Sequence, residues 1–140
     1  MTHISVNSAG RPPAARTQGA HRALRGEYLF RLTDINHILG GPDYSSANGS
    51  CVEGDRMMVA LMTMPSGTGA EPHSHPNEQW IYVLQGLMRM TIDGVQVDAG
   101  PGMAVYIPSN ALHEAQAAGE TDAVFFTVKD TTHSLHGIKA

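Results

Sequence analysis

Two histidines, His73 and His75, stand one residue apart in the stretch 67–86, which reads GTGAEPHSHPNEQWIYVLQG. In an extended strand, residues i and i+2 point to the same face, so the two imidazoles converge on one side without a helix. Pro72 and Pro76 flank the pair and argue against helix there. Glu78 and Gln79 offer oxygen donors just beyond, and residues 81–84 (Ile-Tyr-Val-Leu) read as strand. A third histidine, His113, lies downstream in a similar setting. Paired histidines in a strand are often plain surface residues; with a third in a similar setting, the stretch reads as part of a metal-binding β-protein.

The elements that must hold such a site are short strands and turns. Residues 28–32 form a candidate first strand, and residues 57–64 (MMVALMTM) a continuous apolar strand that ends at Pro65, Ser66 and Gly67. Two apolar runs, 87–92 and 95–97, are separated by Asp93 and Gly94, a strong short-range hairpin signal. Strands are also expected over 103–107, over 111–115 (carrying His113) and over 123–128, with turns at 100–102, 108–110 and 119–120. Seven or eight short strands with a turn about every ten residues mean an all-β sandwich or barrel.

At 140 residues, 41% of them hydrophobic, the chain is long enough for one domain and one core. Its formal charge of −4 gives no sign of a nucleic-acid or anionic membrane partner. Cys51 is the only cysteine, so neither an intrachain disulfide nor a cysteine metal site is available. No apolar run approaches a membrane-spanning length, and the N-terminus lacks a signal core; the cytoplasm is the expected compartment. Residues 1–25, rich in Ser, Ala, Pro, Arg and Gly, are expected as a flexible N-terminal arm, with the barrel domain over 26–140.

With these residues in place, the chain resembles the cupins, small double-stranded β-helix (jelly-roll) barrels. Their first motif runs Gly, five residues, His-x-His, three or four residues, Glu, six residues, Gly; here it is matched by Gly67, His73, His75, Gln79 and Gly86. Their second runs Gly, five residues, Pro-x-Gly, two residues, His, three residues, Asn; here it is matched by Gly102, Pro108, Asn110, His113 and Ala117. The two motifs cover residues 67–113, and the jelly-roll pattern extends over about 28–130. Three positions depart from the pattern. Asn110 replaces a glycine, and asparagine tolerates left-handed backbone. Ala117 replaces the closing Asn. Gln79 replaces the glutamate, which bears on chemistry.

The resemblance implies His73, His75, Gln79 and His113 as ligands of one divalent transition metal (Mn, Fe, Co, Ni or Zn), with Glu78 the fallback should a bulge near Pro76 reverse the strand's parity. It also implies a small-molecule substrate. A glutamine leaves the site one charge more positive than a glutamate would and removes a carboxylate base. Both effects favour Lewis-acid, non-oxidative chemistry of the lyase, isomerase, hydratase or cyclase kind. A dioxygenase at the same site and a non-catalytic small-molecule-binding protein are the alternatives. A general base must come from elsewhere, and Tyr106 and His133 are the catalytic candidates, with His136, Glu71 and Glu114 behind them.

Met62, Met64, Met88, Met90 and Met103 fall near the barrel interior, as core filler or as an adaptable pocket lining. Arg89, Gln85, Gln96 and Thr127 are the nameable polar handles, Arg89 facing away from Met88 and Met90. Trp80 and Tyr82 share the parity opposite to the ligands, and such an exposed aromatic pair implies a homodimer. His3, His21 and His37 read as surface residues, and Cys51 as a structural or idle thiol.

Overall fold

The structure, a computed structural model, describes residues 15–140. Among the described residues there are twelve β-strands and no helix. The strands are β1 (His21–Arg22), β2 (Ile38–Leu39), β3 (Asn48–Glu53), β4 (Met57–Met64), β5 (Gly69–Ser74) and β6 (Gln79–Gln85). They continue with β7 (Met88–Ile92), β8 (Val95–Ala99), β9 (Ala104–Ile107), β10 (His113–Ala117), β11 (Ala123–Asp130) and β12 (Ile138–Lys139). One sheet runs β1-β3-β4-β11-β6-β9 with β2 added on β3, and the other runs β12-β5-β10-β7-β8. From β4 onward, apart from the β7–β8 hairpin, consecutive strands switch between the two sheets, which is the jelly-roll.

Period-two alternation makes the interior. Along β4, Met58, Ala60, Met62 and Met64 are buried, and along β11, Ala123, Phe125, Thr127 and Lys129. Between the sheets these meet Ile81 and Val83 of β6, Met88 and Met90 of β7, and Val105 and Ile107 of β9. Methionine's flexible thioether fills the irregular space where two twisted sheets meet. The β7–β8 hairpin turns at Asp93 and Gly94, both left-handed (φ 48° and 81°), as a two-residue turn of this type demands. Arg89 and Asp98 face each other outside that hairpin in a bidentate pair.

Two expectations are corrected. Residues 28–32 form no strand: no neighbouring strand pairs with them, Leu29 is 96% exposed, and without a ladder the backbone of a short apolar run stays with water. Nine strands have four or more residues, against the seven or eight expected, and one of them, 48–53, was not among the expected strands and pairs with β4. Of the expected arm, residues 1–14 lie outside the described residues. The remainder packs on the barrel: β1 pairs parallel with β3, and the Thr17 N–H donates to the buried Glu53 carboxylate at 3.1 Å. No helix of the described residues is long and apolar enough to cross a membrane.

Candidate metal centre

β5 and β10 lie side by side, with His73 and His113 as direct cross-strand partners. A bulge between His113 and Ala115 resets the register beyond them. His75 follows the end of β5, and the loop after it is pinned on both sides. The Asn110 N–H donates to the His75 carbonyl at 2.8 Å, from a residue held at φ 63°. Asn77, fully buried, donates its amide to the carbonyls of Asp130 and His133, 2.8 Å each. The result gathers His73, His75 and His113, all buried, with one ring nitrogen of each within 4.8 Å of the others.

The proton positions follow from the backbone. Nδ1–H of His73 donates to the Glu71 carbonyl (2.7 Å), that of His75 to the Asn77 carbonyl (3.0 Å), and that of His113 to the Ala111 carbonyl (2.8 Å). A carbonyl only accepts, so each Nδ1 bears hydrogen. Each neutral ring is thereby left with a lone pair on Nε2, the form that binds a metal.

Gln79 completes the set, and its orientation is also determined. The Thr127 hydroxyl donates to the Trp80 carbonyl at 2.9 Å, so it accepts from Nε2 of Gln79 at 2.8 Å. The amide oxygen Oε1 then faces Nε2 of His75 at 3.0 Å. In this orientation two lone pairs face one another across a buried gap, an arrangement that an electrophile between them relieves. Burial, reinforced by the charges of Lys129 and His113, pushes the His75 imidazole down to about 3, toward the neutral ring. The donor set therefore fits a divalent transition metal. Burial likewise pushes His73 down to about 4, with His113 adding to it, and lowers His113.

The cluster opens on an interior cavity of about 60 Å³. Its wall includes His73, Gln79 and His113, the apolar side chains of Met62, Met64, Met88, Met90 and Phe125, and the polar Thr127 and Lys129. Tyr44 stacks on His73 with ring centroids 4.2 Å apart and receives the Gly137 N–H on its hydroxyl at 2.6 Å. Lys129 is wholly buried, and that burial pushes its ammonium down to about 7.

The expected residues are distributed as follows. His73, His75, Gln79 and His113 come together. Glu78 faces outward, where its carboxylate accepts from the Tyr106 hydroxyl at 2.9 Å. Tyr106 is half-exposed on β9 with its ring 4.8 Å from that of Trp80. Strand parity sets it on the far side of the sheet from Gln79 and Ile107, so the structure does not bring this catalytic candidate to the cluster. His133 is held through its carbonyl by Asn77, and its side chain is not among those lining the cavity. His136 meets the Leu39 carbonyl at 2.7 Å, Glu71 pairs with Lys139, and Glu114 is exposed. Of the methionines, Met103 is exposed. Sequence reasoning missed Asn77, Tyr44 and Lys129. The signal for Lys129 was its parity: it continues the inward series of Phe125 and Thr127.

Residues 60–129 match the family described as Cupin domain. Over 73 residues, 52% of this chain, the sequence is 32% identical to dimethylsulfoniopropionate lyase DddW of Ruegeria pomeroyi. That match spans 48% of the lyase, about half the length of the curated relative. Among solved structures, the polyketide cyclase RemF of Streptomyces resistomycificus superposes with a TM-score of 0.63 at 23% identity, over 74% of this chain and 79% of that one. KdgF from Halomonas sp. superposes with a TM-score of 0.57 at 24% identity, over 61% and 79%. At these identities the two structures speak for the fold.

Proposed function

Because this chain belongs to the cupin domain family, we propose that it is a metal-dependent enzyme acting on a small organic molecule by Lewis-acid, non-oxidative chemistry of the lyase, isomerase or cyclase kind. The ligands in this reading are Nε2 of His73, His75 and His113 and Oε1 of Gln79. The observation that carries it is the pair of lone pairs on His75 and Gln79, facing each other at 3.0 Å in a buried pocket. When bound, a divalent transition metal supplies the electrophile that polarises a carbonyl or hydroxyl oxygen of the substrate.

The chain's own residues do the positioning. The carbonyls of Glu71, Asn77 and Ala111 fix the three imidazoles, and Thr127 fixes the amide. Tyr44 and the methionines wall the cavity against water. All four donors are neutral, so the full charge of the ion acts on substrate, one unit more than with a carboxylate ligand. The curated relative's name, a lyase, agrees with a non-oxidative reaction. In the same reading the protein is a homodimer through the outer face of β6 and β9, where Trp80, Tyr82, Leu84 and Tyr106 are exposed together; sedimentation equilibrium tests this.

The deciding experiment is elemental analysis of the purified protein before and after reconstitution with Mn, Fe, Co, Ni and Zn, joined to an oxygen electrode. One zinc per chain without oxygen uptake supports the proposal. Iron with substrate-dependent oxygen uptake would replace it with a dioxygenase. No metal under any condition would turn the reading to a binding protein without catalysis.

A further inference from the structure

Among the described residues the buried Lys129 amine has no carboxylate partner. Its side chain comes from β11, directly across from Gln79 in the ladder, and lines the same cavity as His73, Gln79 and His113. Among the described residues its one polar partner is the Leu135 carbonyl, 2.6 Å from Nζ, which uses one of three N–H donors. Among the described residues no carboxylate lies within 4 Å of it. The buried Glu53 is engaged by the Thr17 N–H instead. The remaining wall is mostly methionine and other apolar carbon. A lysine almost never goes fully inside unless paired, and its buried β11 neighbours on the same face, Phe125 and Thr127, are uncharged.

We infer that Lys129 is the substrate-anchoring residue of this cavity and that the substrate is a small carboxylate, held by its anionic end on Nζ while another oxygen reaches the histidine cluster. The inference rests on the proposed use of the cavity as an active site. An ammonium answers a carboxylate with both charge and hydrogen bonds, the stronger kind of hydrogen bond. The second and third N–H groups then have acceptors, and the interior charge is neutralised. A neutral substrate of the same shape would leave both uncompensated, so the site discriminates by charge before size.

Calorimetric titration with propionate and with its neutral isostere propionamide tests this, on zinc-reconstituted and on chelator-stripped protein. The expected result is propionate binding tighter by about tenfold or more in both forms. Lys129→Met should erase that preference while zinc content, read by elemental analysis, stays at the wild-type level. Equal affinity for the two ligands in the wild-type protein overturns the inference, as does a preference that survives in Lys129→Met. Should that variant not fold, the wild-type comparison alone decides. Should zinc fail to bind the wild-type protein, the metal-enzyme reading falls, while a propionate preference in stripped protein still upholds the role of Lys129.

Discussion

On the inner face of β6, Gln79, Ile81 and Val83 are buried; on its outer face, Trp80, Tyr82 and Leu84 are about half exposed. Each face carries a polar pair. Inside, Gln79 sits between Thr127 and His75; outside, Glu78 just before the strand meets Tyr106. The inner pair belongs to a chain of buried partners, Trp80 carbonyl to Thr127 to Gln79 to His75 to Asn77 carbonyl, in which every proton has one place to be. The outer pair is exposed to water, which offers either group another partner and makes the contact worth little. A defined protonation state, and with it a defined metal-binding form, comes from burial and not from the residue types alone.

The sharpest way to break this comparison is pH. In the unfolded chain His73 and His75 take up protons near 6.5, whereas in the fold they resist until about 4 and about 3. Well above pH 6.5 these imidazoles are neutral in both states, and their contribution is fully present. As pH falls through the window from 6.5 toward 4, the unfolded state gains protons that the folded state refuses, so stability is lost, by at most about 1.4 kcal/mol per pH unit for each imidazole. Thermal melts of metal-free protein should fall steadily across that window. Lys129, lowered from its usual range to about 7, contributes a separate loss that is complete above this window. A flat profile between 6.5 and 4 would mean that the histidines are not held neutral.

Removing a ligand comes next. His113→Ala should cut zinc affinity by more than about a hundredfold, beyond the 10–100-fold that supporting residues command, with the circular dichroism of the barrel intact. Full metal occupancy in this variant would sink the ligand set. The adjacent pair then contrasts the two faces directly. Gln79→Ala should lower zinc affinity by about 10–100-fold, and Glu78→Ala by less than about twofold, as suits an exposed group; competition with a chromophoric chelator reads both. The reverse ranking would show that Glu78 reaches the metal. A subtler change, Thr127→Val, frees the Gln79 amide to rotate and should cost about tenfold in affinity. Smallest of all, Trp80→Ala removes one ring of the Trp80–Tyr106 pair. It should lower stability by about 1 kcal/mol and leave zinc affinity unchanged, while weakening self-association in sedimentation.

Much of this was legible in the chain because it depends on local rules. The His73-x-His75 spacing places two imidazoles on one face of any strand, and odd-numbered parity carries through to Gln79 although the two lie on strands of different sheets. Asp93 with Gly94 specifies its turn, and Asn110 takes the left-handed backbone expected where a glycine is missing. The 28–32 segment misled because apolar content marks a strand only where a partner strand exists to take its backbone hydrogen bonds. The same rule hid β3, whose Asn48 and Gly49 look like a turn until β4 pairs with them.

The sequence by itself determined which side chains share a face, since that follows from a two-residue period and from turn residues acting on their neighbours. Only the tertiary structure decided which faces meet. It set His113 against His73 across a bulged ladder, Lys129 against Gln79 from fifty residues away, and Tyr106 outside. It also decided the protons, because the carbonyls that fix each imidazole and the hydroxyl that turns Gln79 are exclusive partners only where water has been removed.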